Sequence, residues 1–248
     1  MDKKIRVAAV SYLNTKPLIY GFEQGMMMDE VELVTDFPAN IAQMLVKNEV
    51  EIALIPVASI PLLEEHYIIS DYCIGTKGEV ASVCLFSDVP LEEIDTILLD
   101  YQSMTSVGLL KILLKEYWKI NPLFEVATVE YEQKIMENTA GLVIGDRAFK
   151  QRQQSRYVYD LGAAWFAMTG QPFVFAVWVS NKILSTSFID KFNETLGEGF
   201  KVLEKIIEKE NYAFYDLKKY YEDNISYHLN DEKRMAINTY LEKFTAIK

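Results

Sequence analysis

The sequence is poor in the residues that build metal and redox centres: its 248 residues include two cysteines and two histidines. Cys73 and Cys84 form neither a C-x-x-C pair nor part of a zinc ligand set, and His66 and His228 stand in no H-E-x-x-H motif, so no metal is expected. Two packed, reduced thiols are the expectation, and both histidines read as surface or helix-packing groups. Phosphate loops of the G-x-x-x-x-G-K-S/T or G-x-G-x-x-G type are missing, which removes the usual sequence support for ATP or a dinucleotide. A G-x-S-x-G nucleophile elbow is missing as well. No cofactor is expected.

Long apolar runs are also lacking: none approaches the ~18–20 residues needed to span a bilayer. The start, Met1-Asp2-Lys3-Lys4-Ile5-Arg6, looks superficially like the basic region of an export signal, but the apolar run from Val7 to Val10 is broken at Ser11 and Asn14. That run reads as a first strand, with no membrane partner, and the cytoplasm is the expected location. Positive charge is scarce too. Twenty-five Lys and Arg against 36 Asp and Glu give a net charge of −11, which repels polyanions and disfavours nucleic acid. A small anion is still compatible, because local N–H groups, hydroxyls and one cation outweigh a distant field screened within roughly 8–10 Å.

What is present is a globular composition, half apolar, with short β-branched runs alternating with helical patterns. Runs at 5–10, 31–35, 51–55, 80–86, 96–99, 124–129, 142–144 and 173–179 read as strands; 41–47 and 105–117 read as crossover helices. This alternation predicts an α/β protein with largely parallel sheet. Beyond 179 the chain turns to charged segments of helical period at 189–209 and 230–244. Turn-rich stretches at Ser87-Asp88-Val89-Pro90 and Thr169-Gly170-Gln171-Pro172 predict crossings between two lobes, 1–88 with 173–248 and 89–172. The cleft between lobes, beyond the carboxyl ends of strands, is then the expected site for a small-molecule substrate.

Four loops carry polar chemistry suited to such a cleft. Ser11-Tyr12-Leu13-Asn14-Thr15-Lys16-Pro17 follows the first strand and offers Ser11, Asn14 and Thr15, with Lys16 as a cation for a carboxylate. An ordinary helix cap accounts for the same pattern. Ser82 is a single hydroxyl in an apolar strand, a feature that a satisfied core hydroxyl explains equally. Asp100-Tyr101-Gln102-Ser103-Met104-Thr105-Ser106 runs from a strand into a helix start dense in hydroxyls, where Ser103, Thr105 and Ser106 could join unpaired N–H groups in holding an anion. Gly145-Asp146 ends a buried strand, and Asp146 reads as a cap or lobe-positioning group rather than a catalyst.

Taken in order, these blocks, with Asp160-Leu161-Gly162 through Trp165 to Trp178, resemble the chorismate dehydratase family of the futalosine route to menaquinone. The resemblance spans most of the chain. It implies a two-lobe type II periplasmic-binding-protein-like fold with a central interlobe cleft, and a carbon–oxygen lyase that takes chorismate to 3-(1-carboxyvinyloxy)benzoate and water without a cofactor. It further implies Asn14 nearest the reacting carbons, with Ser11, Thr15, Ser82, Ser103, Thr105 and Ser106 around the substrate. The chain departs from the family pattern at Lys16 and Met104, where many relatives carry Arg. Dihydroxynaphthoate synthase shares the fold but employs a catalytic histidine, and neither histidine here sits in a matching loop. A non-catalytic small-anion binder on the same scaffold is the alternative from another class. Oligomeric state is not legible in the sequence.

Overall fold

The computed structural model describes residues 4–247. Met1, Asp2 and Lys3 of the basic amino-terminal stretch lie outside the described residues.

The chain begins β1 (Ile5–Val10), α1 (Lys16–Glu23), β2 (Val31–Asp36), α2 (Pro38–Val46), β3 (Ile52–Pro56) and β4 (Tyr67–Thr76). Proline sits in the first two positions of both helices, where its missing N–H costs nothing. The middle supplies β5 (Val83–Ser87), β6 (Thr96–Leu99), α3 (Met104–Leu113), β7 (Leu123–Val126), β8 (Thr139–Ile144), α4 (Asp146–Gln151), β9 (Tyr157–Asp160) and α5 (Leu161–Thr169). The remainder is β10 (Phe173–Ser180), α6 (Thr186–Gly197), α7 (Leu203–Glu210), α8 (Leu217–Lys219) leading into a π turn at Tyr220–Asn224, β11 (Ser226–His228) and α9 (Asp231–Ala246).

Two sheets result, ordered β11-β4-β10-β3-β1-β2 and β7-β6-β8-β5-β9. The α/β class is as expected; the largely parallel sheet is not. β10 runs antiparallel between β3 and β4, and β5 runs antiparallel between β8 and β9. The reason lies in the crossings. The chain leaves the first sheet at the carboxyl end of β4 and re-enters beside the point of departure, Phe173 pairing with Thr76, so the returning strand must run the opposite way. At the other side Cys84 at the start of β5 pairs with Asp160 at the end of β9. The two connecting segments therefore lie side by side. Because β5 belongs to the second sheet, the first crossing falls between Thr76 and Val83, ahead of Ser87–Pro90, and a boundary at 88 and 89 cuts between two strands of one sheet.

β4, β9 and β11 do not stand out in the sequence, because their polar residues (Ser70, Asp71, Asp160, His228) break the apolar runs. Every residue of β3, β5 and β10 is buried, as strands covered on both faces must be. Aromatic packing seals the first sheet to its helices: Trp178 meets Phe192 of α6 edge-on, and Phe173 meets both Trp165 of α5 and Tyr240 of α9. Among the described residues no helix is long and apolar enough to cross a membrane.

Candidate active site

A cavity of 60 Å³ lies where the two sheets meet. The first sheet contributes Val10 and the Tyr12–Asn14 loop after β1, Pro38, Pro56 at the end of β3, Ile74, Phe175 and Ala176; the second contributes Val83, Ser103, Ser106, Ile144 and Gly145. Val80 and Ser82 come from the crossing segment. The wall thus collects the carboxyl ends of β1, β3 and β8 and the start of α3, the position that open α/β sheets offer to ligands. No lining residue is a carboxylate, an imidazole or an amine. The polar lining is neutral: Asn14, Ser82, Ser103, Ser106 and Tyr12.

Four of the seven residues expected around a substrate line this cavity, and three do not. Ser103 caps α3: its Oγ accepts from the Ser106 N–H at 3.2 Å and donates to Ser106 Oγ at 3.0 Å. Ser11 is exposed and away from the cavity; its N–H extends the pairing with β2 by donating to the Asp36 carbonyl. Thr15 is buried behind Asn14, and its Oγ1 donates to Asn14 Oδ1 at 3.2 Å. Thr105, one residue on from the helix start, points the other way, and its Oγ1 accepts the buried Ala58 N–H at 3.1 Å. Helical geometry explains the miss, since adjacent residues face different sides. Lys16 pairs with Glu210 at 3.6 Å, and Met104 is exposed; neither lines the cavity.

Asp146 is not a helix cap; Gly145 holds that position with φ 64°. A β-carbon there would come within 3.0 Å of the Tyr12 ring, so glycine is required on both counts. The Asp146 carboxylate instead reaches across the cleft to the Leu13 N–H at 3.1 Å. Burial pushes its pKa up to about 6, opposed by the Leu13 N–H and by Lys16. Ser82 precedes β5 rather than lying within it, because Ala81 takes a left-handed φ of 64°. That strained turn is clamped by Asp160, which accepts from the Val80 and Ala81 N–H groups at 3.1 and 2.7 Å while capping α5 through Ala163. Gly162 lets α5 approach: a β-carbon there would stand 2.5 Å from the Gly78 carbonyl oxygen.

The sequence profile described as menaquinone biosynthesis matches residues 5–246. The chain belongs to this menaquinone biosynthesis family. A chorismate dehydratase of Thermus thermophilus is 28% identical to it, the match covering 93% of this chain and 92% of the relative. Among solved structures, a protein of Archaeoglobus fulgidus superposes with a TM-score of 0.75 at 15% identity, covering 98% and 97% of the two chains. The alkanesulfonate-binding protein SsuA of Xanthomonas axonopodis pv. citri, bound to MOPS, gives a TM-score of 0.66 at 10% identity over 98% and 92%. The fold of this menaquinone biosynthesis family member is therefore that of periplasmic binding proteins.

Several groups of this family member escape a reading by local motif. Tyr12, which lines the cavity, donates to Gln102 Oε1, and Gln102 also accepts from Arg147 at 3.1 Å. Arg147 pairs with buried Asp100 at 2.5 Å and with Glu132 at 2.8 Å, so its charge is balanced inside the second sheet's own network. Burial raises the pKa of Asp100, and the Arg147 guanidinium opposes that rise. From the far end of the chain, Tyr221 donates to the Leu13 carbonyl at 3.1 Å, Tyr227 to the Asn14 carbonyl at 2.9 Å, and Tyr220 to Ser82 Oγ at 2.8 Å. Burial lifts the pKa values of Tyr12 and Tyr220 above the ordinary tyrosine value, which keeps both phenols neutral. His66 and His228 are exposed and do not line the cavity.

Proposed function

We propose that this chain is a chorismate dehydratase, a hydro-lyase that converts chorismate to 3-(1-carboxyvinyloxy)benzoate and water in the futalosine route to menaquinone. Family membership and the Thermus thermophilus relative support the substrate. The observation that carries the mechanism is the neutral lining: several hydroxyls and one amide converge on a cavity that holds no acid–base side chain of its own.

Loss of the C3 proton sends charge through the ring diene into the ring carboxylate, and departure of the C4 hydroxyl then completes the aromatic ring. Donors aimed at that carboxylate lower the barrier. The start of α3 supplies them: Ser106 Oγ accepts from Ser103 and directs its own proton to the substrate, aided by the positive end of the helix dipole. With no protein base among the lining residues, a carboxylate of the substrate takes the proton while Asn14 and Ser82 orient the enolpyruvyl arm and the leaving hydroxyl. The apolar remainder of the wall excludes water. The two sheets form the cores of two lobes that close on the substrate about 77–82 and 170–172, and the protein works in the cytoplasm.

Incubating the purified protein with chorismate and separating the products by chromatography tests this. The enolpyruvyl benzoate is expected. The likeness to SsuA makes a small-anion binder the rival, and a binder returns chorismate unchanged apart from its spontaneous decay.

A further inference from the structure

Tyr220 has no exposed surface and opens the π turn at Tyr220–Asn224. Its ring packs edge-on against Phe149 of α4, 4.8 Å between centroids, which fixes the direction of the hydroxyl. That hydroxyl donates to Ser82 Oγ at 2.8 Å. Ser82 in turn lines the cavity, as does Asn14, whose Oδ1 accepts from Thr15 Oγ1 at 3.2 Å. Ser82 accepts from Tyr220 and donates only over a long 3.5 Å contact, to the Val80 carbonyl, so a substrate oxygen can take that proton in its place. A phenylalanine would fill the same ring space without desolvating a hydroxyl, so what the hydroxyl adds is direction.

We infer that Tyr220 is a positioning residue of the reaction: its hydroxyl fixes Ser82 Oγ and so sets the direction in which Ser82 presents its own proton to the substrate. The inference deepens the dehydratase reading and rests on it. Tyr220 does not line the cavity; it works through Ser82, which does.

Tyr220→Phe retains the packing and removes only the hydroxyl. With chorismate as substrate, kcat is expected to fall about 100-fold, as for a small misplacement of reacting groups, while KM changes less than about threefold. The double variant Ser82→Ala, Tyr220→Phe is expected to lose no more than the larger single loss, because the two act as one unit. Undiminished kcat, a loss carried by KM alone, or a double loss equal to the product of the singles overturns the inference. A second measurement needs no turnover: the backbone amide signals of Ser82 and Val83, followed by nitrogen-15 NMR, are expected to shift and to exchange at least about tenfold faster in Tyr220→Phe. Unmoved signals overturn the positioning role. Moved signals in a protein inert toward chorismate keep that role and reject the dehydratase.

Discussion

The two sides of the cavity hold their polar groups by different means. On the second-sheet side Ser103 and Ser106 hold each other, three residues apart, in an ordinary cap at the start of α3. On the first-sheet side Asn14 and the loop around it are held from a distance. Tyr221 and Tyr227 bond the carbonyls of Leu13 and Asn14, and the Asp146 carboxylate binds the Leu13 N–H. One side is preorganised by helix geometry, and the other by a group that follows β8 of the second sheet and by tyrosines near the end of the chain. A cap is fixed within one helix, whereas a loop tied from both sheets depends on how the two sit together. Under the dehydratase proposal, that difference suits α3 to anchoring the substrate and Asn14 to reaction geometry.

Substitutions can break this contrast. The largest effect is expected at Asn14: Asn14→Ala should lower kcat on chorismate by about 100- to 1,000-fold, with the melting temperature little changed. Equal activity would remove Asn14 from the chemistry. Next comes the clamp on the crossing. Asp160→Ala removes the acceptor of three N–H groups and a partner of Arg152, so urea titration should record a loss of about 3 kcal/mol. Thr105→Val leaves the buried Ala58 N–H unpaired and should cost about 1–2 kcal/mol without changing KM, as befits an anchor that faces away from the substrate. A raised KM with unchanged stability would put Thr105 back among the ligands.

A pH-dependent effect concerns the Asp146 carboxylate, which reaches the Leu13 N–H. Burial lifts Asp146 to about 6, above its unfolded value, so its contribution to stability is complete below the ordinary carboxylate range and is lost as pH rises through about 6. Asp146→Asn lacks this dependence. Urea titrations of both proteins should therefore show the variant gaining on the wild type as pH rises from 4 to 7; a constant gap would mean that Asp146 titrates normally.

The legible half of the site is the local half. Ser103 and Ser106 stand three apart at the start of an apolar helix, and Asn14 lies in the loop that follows the first strand, so both patterns are visible in a short window. Thr105 shares their place in the first turn of the helix, and only the helical turn separates its face from theirs. The tyrosines cannot be found this way. Tyr220, Tyr221 and Tyr227 meet their partners across 138, 208 and 213 residues, and no periodicity encodes such a contact. A signal was nonetheless present: the segment Tyr212, Tyr215, Tyr220, Tyr221, Tyr227 is dense in phenols among charged residues, and buried phenols need partners. The fold followed the same division. Apolar strands were visible, while β4, β9 and β11, and the antiparallel return of β10, depend on pairing between distant segments.

The pH profile of kcat on chorismate bears most directly on a cavity that supplies donors and leaves the base to the substrate. No lining side chain titrates near neutrality, and burial holds the Tyr12 and Tyr220 phenols neutral. A plateau from about pH 7 to 9 is therefore expected. A limb with an apparent pKa inside that range, persisting in Asp146→Asn, would contradict it by requiring an acid–base group of the protein in the reaction.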